Sequence, residues 1–216
     1  MFYRAMRVIF WSAFWSAFVM AAFFGWRKDM FGVVTFLLGA AGLLVLFLFQ
    51  KSKLFFKYYN SSFGDTILGI SGIIFLMSDI GNLYFYDRFT FDWAGYDTLT
   101  HFFIPMLFVI LAAMLYESLR IKKGVVGAIE VILVSSLTVV IFSILWELFE
   151  KQSDIWWGTK MFFDPAQPII LDTTDDLVAD FYGVFIGSLL IFKNWESWNK
   201  KWLKTADDKR LTTNNL

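Results

Sequence analysis

The chain of 216 residues contains no cysteine, a single histidine and only three prolines. Without thiols there is no disulfide framework, no thiolate nucleophile and no zinc-finger or c-type haem spacing, and one imidazole excludes a multi-histidine metal centre. Any acid–base or ligand chemistry must therefore rest mainly on carboxylates. An excess of one charge is missing too, because Lys+Arg and Asp+Glu both number 19. That leaves no basic field of the kind nucleic-acid binding needs, and no nucleic-acid partner is expected.

Apolar and aromatic side chains are abundant. Hydrophobic residues make up 58% of the chain and aromatic residues 21%, with 27 Phe, whereas soluble domains are roughly 45–50% apolar. Six stretches, at about 8–24, 31–49, 63–84, 98–116, 125–149 and 174–192, are each long enough to cross a bilayer as a helix, which takes about 20 residues. They are continuously apolar instead of alternating, which favours helices over a barrel. The expected fold is all-α, a polytopic membrane bundle of six transmembrane helices over residues 1–192. Residues 193–216 are expected to form a cytoplasmic tail, with Trp195, Trp198 and Trp202 as one interfacial stripe among lysines and a frayed end.

The first stretch exceeds the roughly 7–15 apolar residues of a signal-peptide core and no A-x-A site follows, so it reads as a retained span. In it Ser12 and Ser16, and Ala13 and Ala17, recur four apart, a spacing that permits close helix contact. Basic residues fix the orientation, since short loops rich in Lys and Arg stay in the cytoplasm. The N-terminal segment, residues 51–57 and 120–123, and everything from 193 onward carry fourteen of the nineteen. Both termini are therefore expected inside a bacterial plasma membrane, against the discordant pair Arg27 and Lys28. Residues 151–173, with Trp156, Trp157, Phe162, Phe163 and the turn at Asp164–Pro168, are expected to rest on the outer membrane surface as an anchor or a lid.

The acids collect at the outer ends of three spans. Asp97 and His101 are i and i+4 on one helix face, and Pro105 deprives the His101 carbonyl of its usual amide partner. Ser143, Glu147, Glu150 and Asp154 form one stripe at the end of the fifth span, where the helix dipole disfavours acids and burial makes an ionised carboxylate costly. Asp172, Asp176 and Asp180 recur every four residues on a stripe that continues through Gly183 and Gly187, so the acid face and the packing face coincide. Asp172 or Thr173 can cap that helix, with Asp175 or Asp176 serving its early amides; Asp180 lies beyond capping range. Asp79, near the outer end of the third span, can join or support the cluster. Asp65 and Glu130 are expected to pair with Lys51, Lys53, Lys57 or Arg120 on the inner side.

The run Gly69, Ser71, Gly72 matches the G-x-S-G of rhomboid proteases. At about 1.5 Å per residue, however, Ser71 would lie roughly 20 Å deep and His101 roughly 6 Å, so the two would not meet.

Three segments, Asp97 to Phe103, Trp146 to Glu150 and Asp176 to Gly183, resemble the YjdF-like bacterial membrane proteins and more distantly the VanZ-like proteins. The resemblance covers roughly 97–187. Thr98, Glu150 and Asp180 stand where VanZ-like chains carry lysine, glutamine and asparagine, which favours the YjdF-like side. It implies a shared site without naming a reaction.

Three function classes fit these residues. In the first, Asp97, His101, Glu147, Glu150, Asp176 and Asp180 bind Mg²⁺ or Mn²⁺, with Asp79 and Asp172 in support, and act on a membrane lipid or a lipid-linked phosphate. His101 and Asp97 would be the catalytic pair, His101 as ligand or general base. In the second, the same acids relay protons or cations in a transporter. The third is a non-catalytic assembly or sensing protein.

Overall fold

A computed structural model describes residues 2–85, 95–121, 126–158 and 169–203, with backbone only for a few of these, Asp172 among them. Phe162, Phe163, the Asp164–Pro168 turn and the tail from Lys204 lie outside the described residues. The described chain is helical: α1 (Phe2–Trp26), α2 (Met30–Gln50), the short α3 (Lys53–Tyr58), α4 (Ser61–Ile80) with a π-helical turn Gly81–Phe85, α5 (Tyr96–Arg120), α6 (Ala128–Trp157) and α7 (Ile169–Trp202). Among the described residues, five segments are long and apolar enough to cross a membrane: α1, α2, Ser61–Leu83, α5 and α6. Large apolar side chains such as Val8, Trp15, Leu38, Leu133, Leu137 and Phe142 are more than half exposed, as suits helices that meet hydrocarbon instead of water.

The chain divides into two compact units. The first comprises Met1–Asp79, Ser118–Val125 and Asn194–Leu216. Here α1 and α2 form a hairpin whose turn puts Lys28 at φ 62°, and Asp29 caps α2 by accepting from the Gly32 amide at 3.0 Å. Phe10 and Ala13 pack on Leu43 and Leu68, and Met20 and Ala21 on Phe36. The small-residue repeat of α1 therefore does pack, through Ala13 and Ala17, which are fully buried, while Ser12 is exposed. Helix α4 runs close against α1: a Cβ on Gly72 would stand 2.9 Å from the Phe10 Cα, and one on Gly69 would overlap Met6. Those glycines serve packing, and the Ser71 hydroxyl donates to the Ile67 carbonyl of its own helix at 2.9 Å. The G-x-S-G run thus has a structural role.

The acid pairing in this unit differs from expectation. Asp65 accepts from Arg7 Nε at 2.6 Å, not from a loop lysine or Arg120. Asp79, 2% exposed, accepts from the Ser16 hydroxyl. Spacing identifies which face a residue occupies but not which neighbour the tertiary packing brings to it.

The C-terminal tryptophans also differ. No break follows residue 192; α7 continues to Trp202, and Trp195 and Trp202 are buried. Asn60 explains the stop, because its amide N–H donates to the Trp202 carbonyl at 2.9 Å and its Nδ2 to the Lys201 carbonyl at 2.6 Å. One residue thereby satisfies two carbonyls left orphaned at the helix end. Phe63 sits against Trp202 with ring centroids 4.9 Å apart.

The second unit comprises Ile80–Glu117 and Val126–Lys193. It holds most of α5, the body of α6 and α7 up to Lys193. Glu130, at the start of α6, accepts from the Tyr116 hydroxyl at 2.7 Å, another partner the spacing did not indicate. Helices α6 and α7 are antiparallel and joined by the Ser136 and Ser188 hydroxyls at 2.8 Å.

Candidate metal centre

Three helices of the second unit bring acids to one imidazole. In α5, Tyr96–Arg120, the register puts Asp97 and His101 one turn apart, and the helix runs through Pro105 without ending. Close approach of α7 to α5 depends on Gly183 and Gly187: a Cβ on Gly183 would stand 2.2 Å from the Phe102 carbonyl oxygen, and one on Gly187 2.2 Å from Val109 Cγ1 and 2.7 Å from the Met106 oxygen. With no side chain there, the backbones meet, and the stripe carried up α7 delivers Asp180 and Asp176 to His101.

The ring is held from both sides. His101 Nδ1 lies 3.1 Å from Asp180 Oδ1. Its Nε2 lies 3.7 Å from Asp97 Oδ1 and 3.9 Å from Asp176 Oδ2. Ligand atoms of Asp97, His101 and Asp176 all fall within 4.8 Å of one another, the spacing at which they can share a metal ion. Asp180 acts on the other nitrogen, where a carboxylate fixes the ring's tautomer and aims Nε2 at the ligand position. Asp176 and Asp180 are buried, whereas the Asp97 side chain is 49% exposed, so the cluster opens past Asp97.

The α6 stripe behaves as its spacing indicates. Val131, Ser135, Val139, Ser143, Glu147, Glu150 and Ser153 form the buried face of that helix. Glu150 interacts electrostatically with His101, Asp97 and Glu147. Asp154 is only partly buried. Glu147, Glu150 and Asp180 are not within the tight Asp97–His101–Asp176 set.

Two helices run beyond the apolar stretches that mark them in the sequence. Helix α6 extends past 149 to Trp157, where Gly158 at φ 65° donates to the Asp154 carbonyl. Glu147 and Glu150 thus sit in the helix body, and the dipole objection to them lapses while the burial argument stands. Helix α7 begins at Ile169, so Asp172, Asp175 and Asp176 lie inside it and do not cap it. Asp172 falls on the acid stripe, but its side chain lies outside the described set. Asp79 belongs to the first unit, bonded to Ser16. Sequence reasoning passed over Glu117 of α5, which is fully buried and whose carboxylate oxygens have no hydrogen-bond partner among the described residues; an acid at the very end of the fourth apolar stretch was the available signal.

Five spanning-length helices and a buried acid–imidazole cluster between helices define a multi-pass helical membrane protein. The family described as predicted membrane protein (DUF2238) matches residues 5–196, and the chain belongs to it. No curated protein and no solved structure matches the chain.

Proposed function

We propose that the second unit holds a divalent cation, Mg²⁺ or Mn²⁺, and uses it on a membrane lipid or lipid-linked phosphate at the outer leaflet. The observation that carries this reading is the convergence of Asp97, His101 and Asp176 ligand atoms within 4.8 Å. Carboxylate oxygens suit these hard cations. A bound ion would polarise a phosphoryl oxygen or lower the pKa of a water. The chain's own residues supply the rest: Asp180 orients His101, Asp97 and Asp176 present oxygens to the ion, and Glu150 and Glu147 complete the anionic wall. The partly exposed Asp97 gives a polar head group its approach.

In this reading α7 is the sixth span. At about 1.5 Å per residue its 34 residues reach roughly 51 Å, against about 30 Å of hydrocarbon. Both termini face the cytoplasm of a bacterial plasma membrane. Within the wider family the chain stands nearer the YjdF-like than the VanZ-like pattern, on Thr98, Glu150 and Asp180.

The test is thermal unfolding of the purified protein with and without Mn²⁺ or Mg²⁺. Ligation of the folded state at a hundred times the dissociation constant adds about 2.7 kcal/mol, and the double variant His101→Ala, Glu150→Gln should lose that gain. Identical melting of the two proteins, with no metal by elemental analysis, would refute the metal reading and leave the relay or assembly classes.

A further inference from the structure

We propose that an acyl chain of a membrane phospholipid lies in the groove between α6 and α7, with its polar end directed to the His101 cluster. The proposal rests on the reading of that cluster as a lipid-directed site and names the part of the substrate the site's wall recognises.

The groove encloses about 180 Å³ between Val140, Ser143 and Ile144 of α6 and Leu177, Asp180, Phe181 and Val184 of α7. Its two ends differ chemically. Toward one end, a turn beyond Val140 and Val184, the Ser136 and Ser188 hydroxyls bond each other at 2.8 Å. At the other, Asp180 forms part of the wall and is the same carboxylate that bonds His101 Nδ1 at 3.1 Å. A molecule seated in the groove therefore has hydrocarbon along most of its length and reaches the imidazole–carboxylate cluster at one end only.

Depth decides the occupant. Residues 140–144 stand at the middle of the 30-residue helix Ala128–Trp157, a segment apolar and long enough to span a bilayer. The middle of such a helix lies at hydrocarbon depth, where water does not compete. Ile144 is 49% exposed and Phe181 62% exposed, so the groove is open to that hydrocarbon along its side. A phospholipid tail ends near the bilayer middle and its head group lies outward, which matches a groove that is apolar at mid-span and polar toward the acids. Helix α7 adds a second hollow, along Thr174, Val178 and Tyr182, that shares Leu177 and Phe181 with the groove. The Leu177–Phe181 ridge thus has apolar space on both sides, as a two-chain lipid requires.

The test uses the full chain in nanodiscs of phosphatidylethanolamine and phosphatidylglycerol, a fraction of the lipid carrying a diazirine near the end of one acyl chain. Photolysis should label Val140, Ile144, Phe181 and Val184 more than the outward-facing Leu133 and Leu137. Ile144→Trp fills the groove from a half-exposed position that folding tolerates. Each methylene displaced costs about four-fold in affinity, so two give an expected drop of about fifteen-fold in groove labelling, with Leu133 and Leu137 unchanged. Equal labelling of groove and outer face, unaltered by Ile144→Trp, would overturn the proposal, as would preferential labelling by a diazirine polyprenyl phosphate. Mn²⁺ binding on the same samples separates the two readings: groove labelling without Mn²⁺ binding keeps the groove and ends the metal reading, and Mn²⁺ binding without groove labelling does the reverse.

Discussion

In the first unit each of the two buried aspartates of α4 has a donor of its own, Asp65 the Arg7 guanidinium and Asp79 the Ser16 hydroxyl. In the second unit Asp97, Asp176 and Asp180 gather on the same imidazole, and Glu150 adds to them from a third helix. Both arrangements satisfy the rule that a buried acid needs compensation. A one-to-one pair does so locally and holds two helices together. Several carboxylates around one ring concentrate negative charge at a point, and mutual repulsion among them is relieved when a cation occupies it. The first pattern is helix adhesive, and the second has the charge and spacing of a binding site.

If that difference is real, matched substitutions in the two units will part company. The largest effect is expected for Gly183→Val, whose Cβ would stand 2.2 Å from a backbone oxygen that no rotamer change can move. It should cost roughly 3 kcal/mol in a denaturant titration in micelles and abolish cation binding, because α7 no longer reaches His101. Gly72→Ala, against the Phe10 backbone of α1, should also destabilise yet keep binding. Loss of binding in both would mean that the cation effect merely reports stability.

Next comes Asp180→Asn. Removal of the carboxylate that orients His101 should weaken Mn²⁺ binding about 10–100-fold with near-normal melting of the apo protein. Asp175→Asn, on the exposed side of the same helix, should change stability by less than about 0.5 kcal/mol and leave binding alone. Equal affinities in an isothermal titration would remove Asp180 from the site. In the first unit the effect on binding should vanish: Ser16→Ala leaves Asp79 without its donor and should cost about 1–2 kcal/mol in thermal denaturation, with Mn²⁺ affinity unchanged. A drop in affinity would tie Asp79 to the centre after all.

Much of this contrast was legible in the sequence because helical periodicity is. The stripe from Ser143 through Glu150 and the one from Asp176 through Gly187 both face inward, and the two glycines do lie where α5 and α7 touch. Partner identity was not legible. Asp65 could be assigned a face, but whether Arg7 or a loop lysine would meet it depends on how α1 crosses α4. Helix ends were read too short for a related reason. Capping residues Asp172 and Thr173 are also ordinary residues within a helix, and only packing selects between those roles. Better signals stood outside them, with Gly158 just past the end of α6 and Pro168 just before the start of α7.

If the acids around His101 hold a cation and those of the first unit do not, titration of Mn²⁺ followed by electron paramagnetic resonance will separate Asp176→Asn from Asp79→Asn. One bound ion per chain is expected in the wild type and in Asp79→Asn, and none in Asp176→Asn at the same concentrations. Three indistinguishable titrations from folded proteins would contradict that expectation.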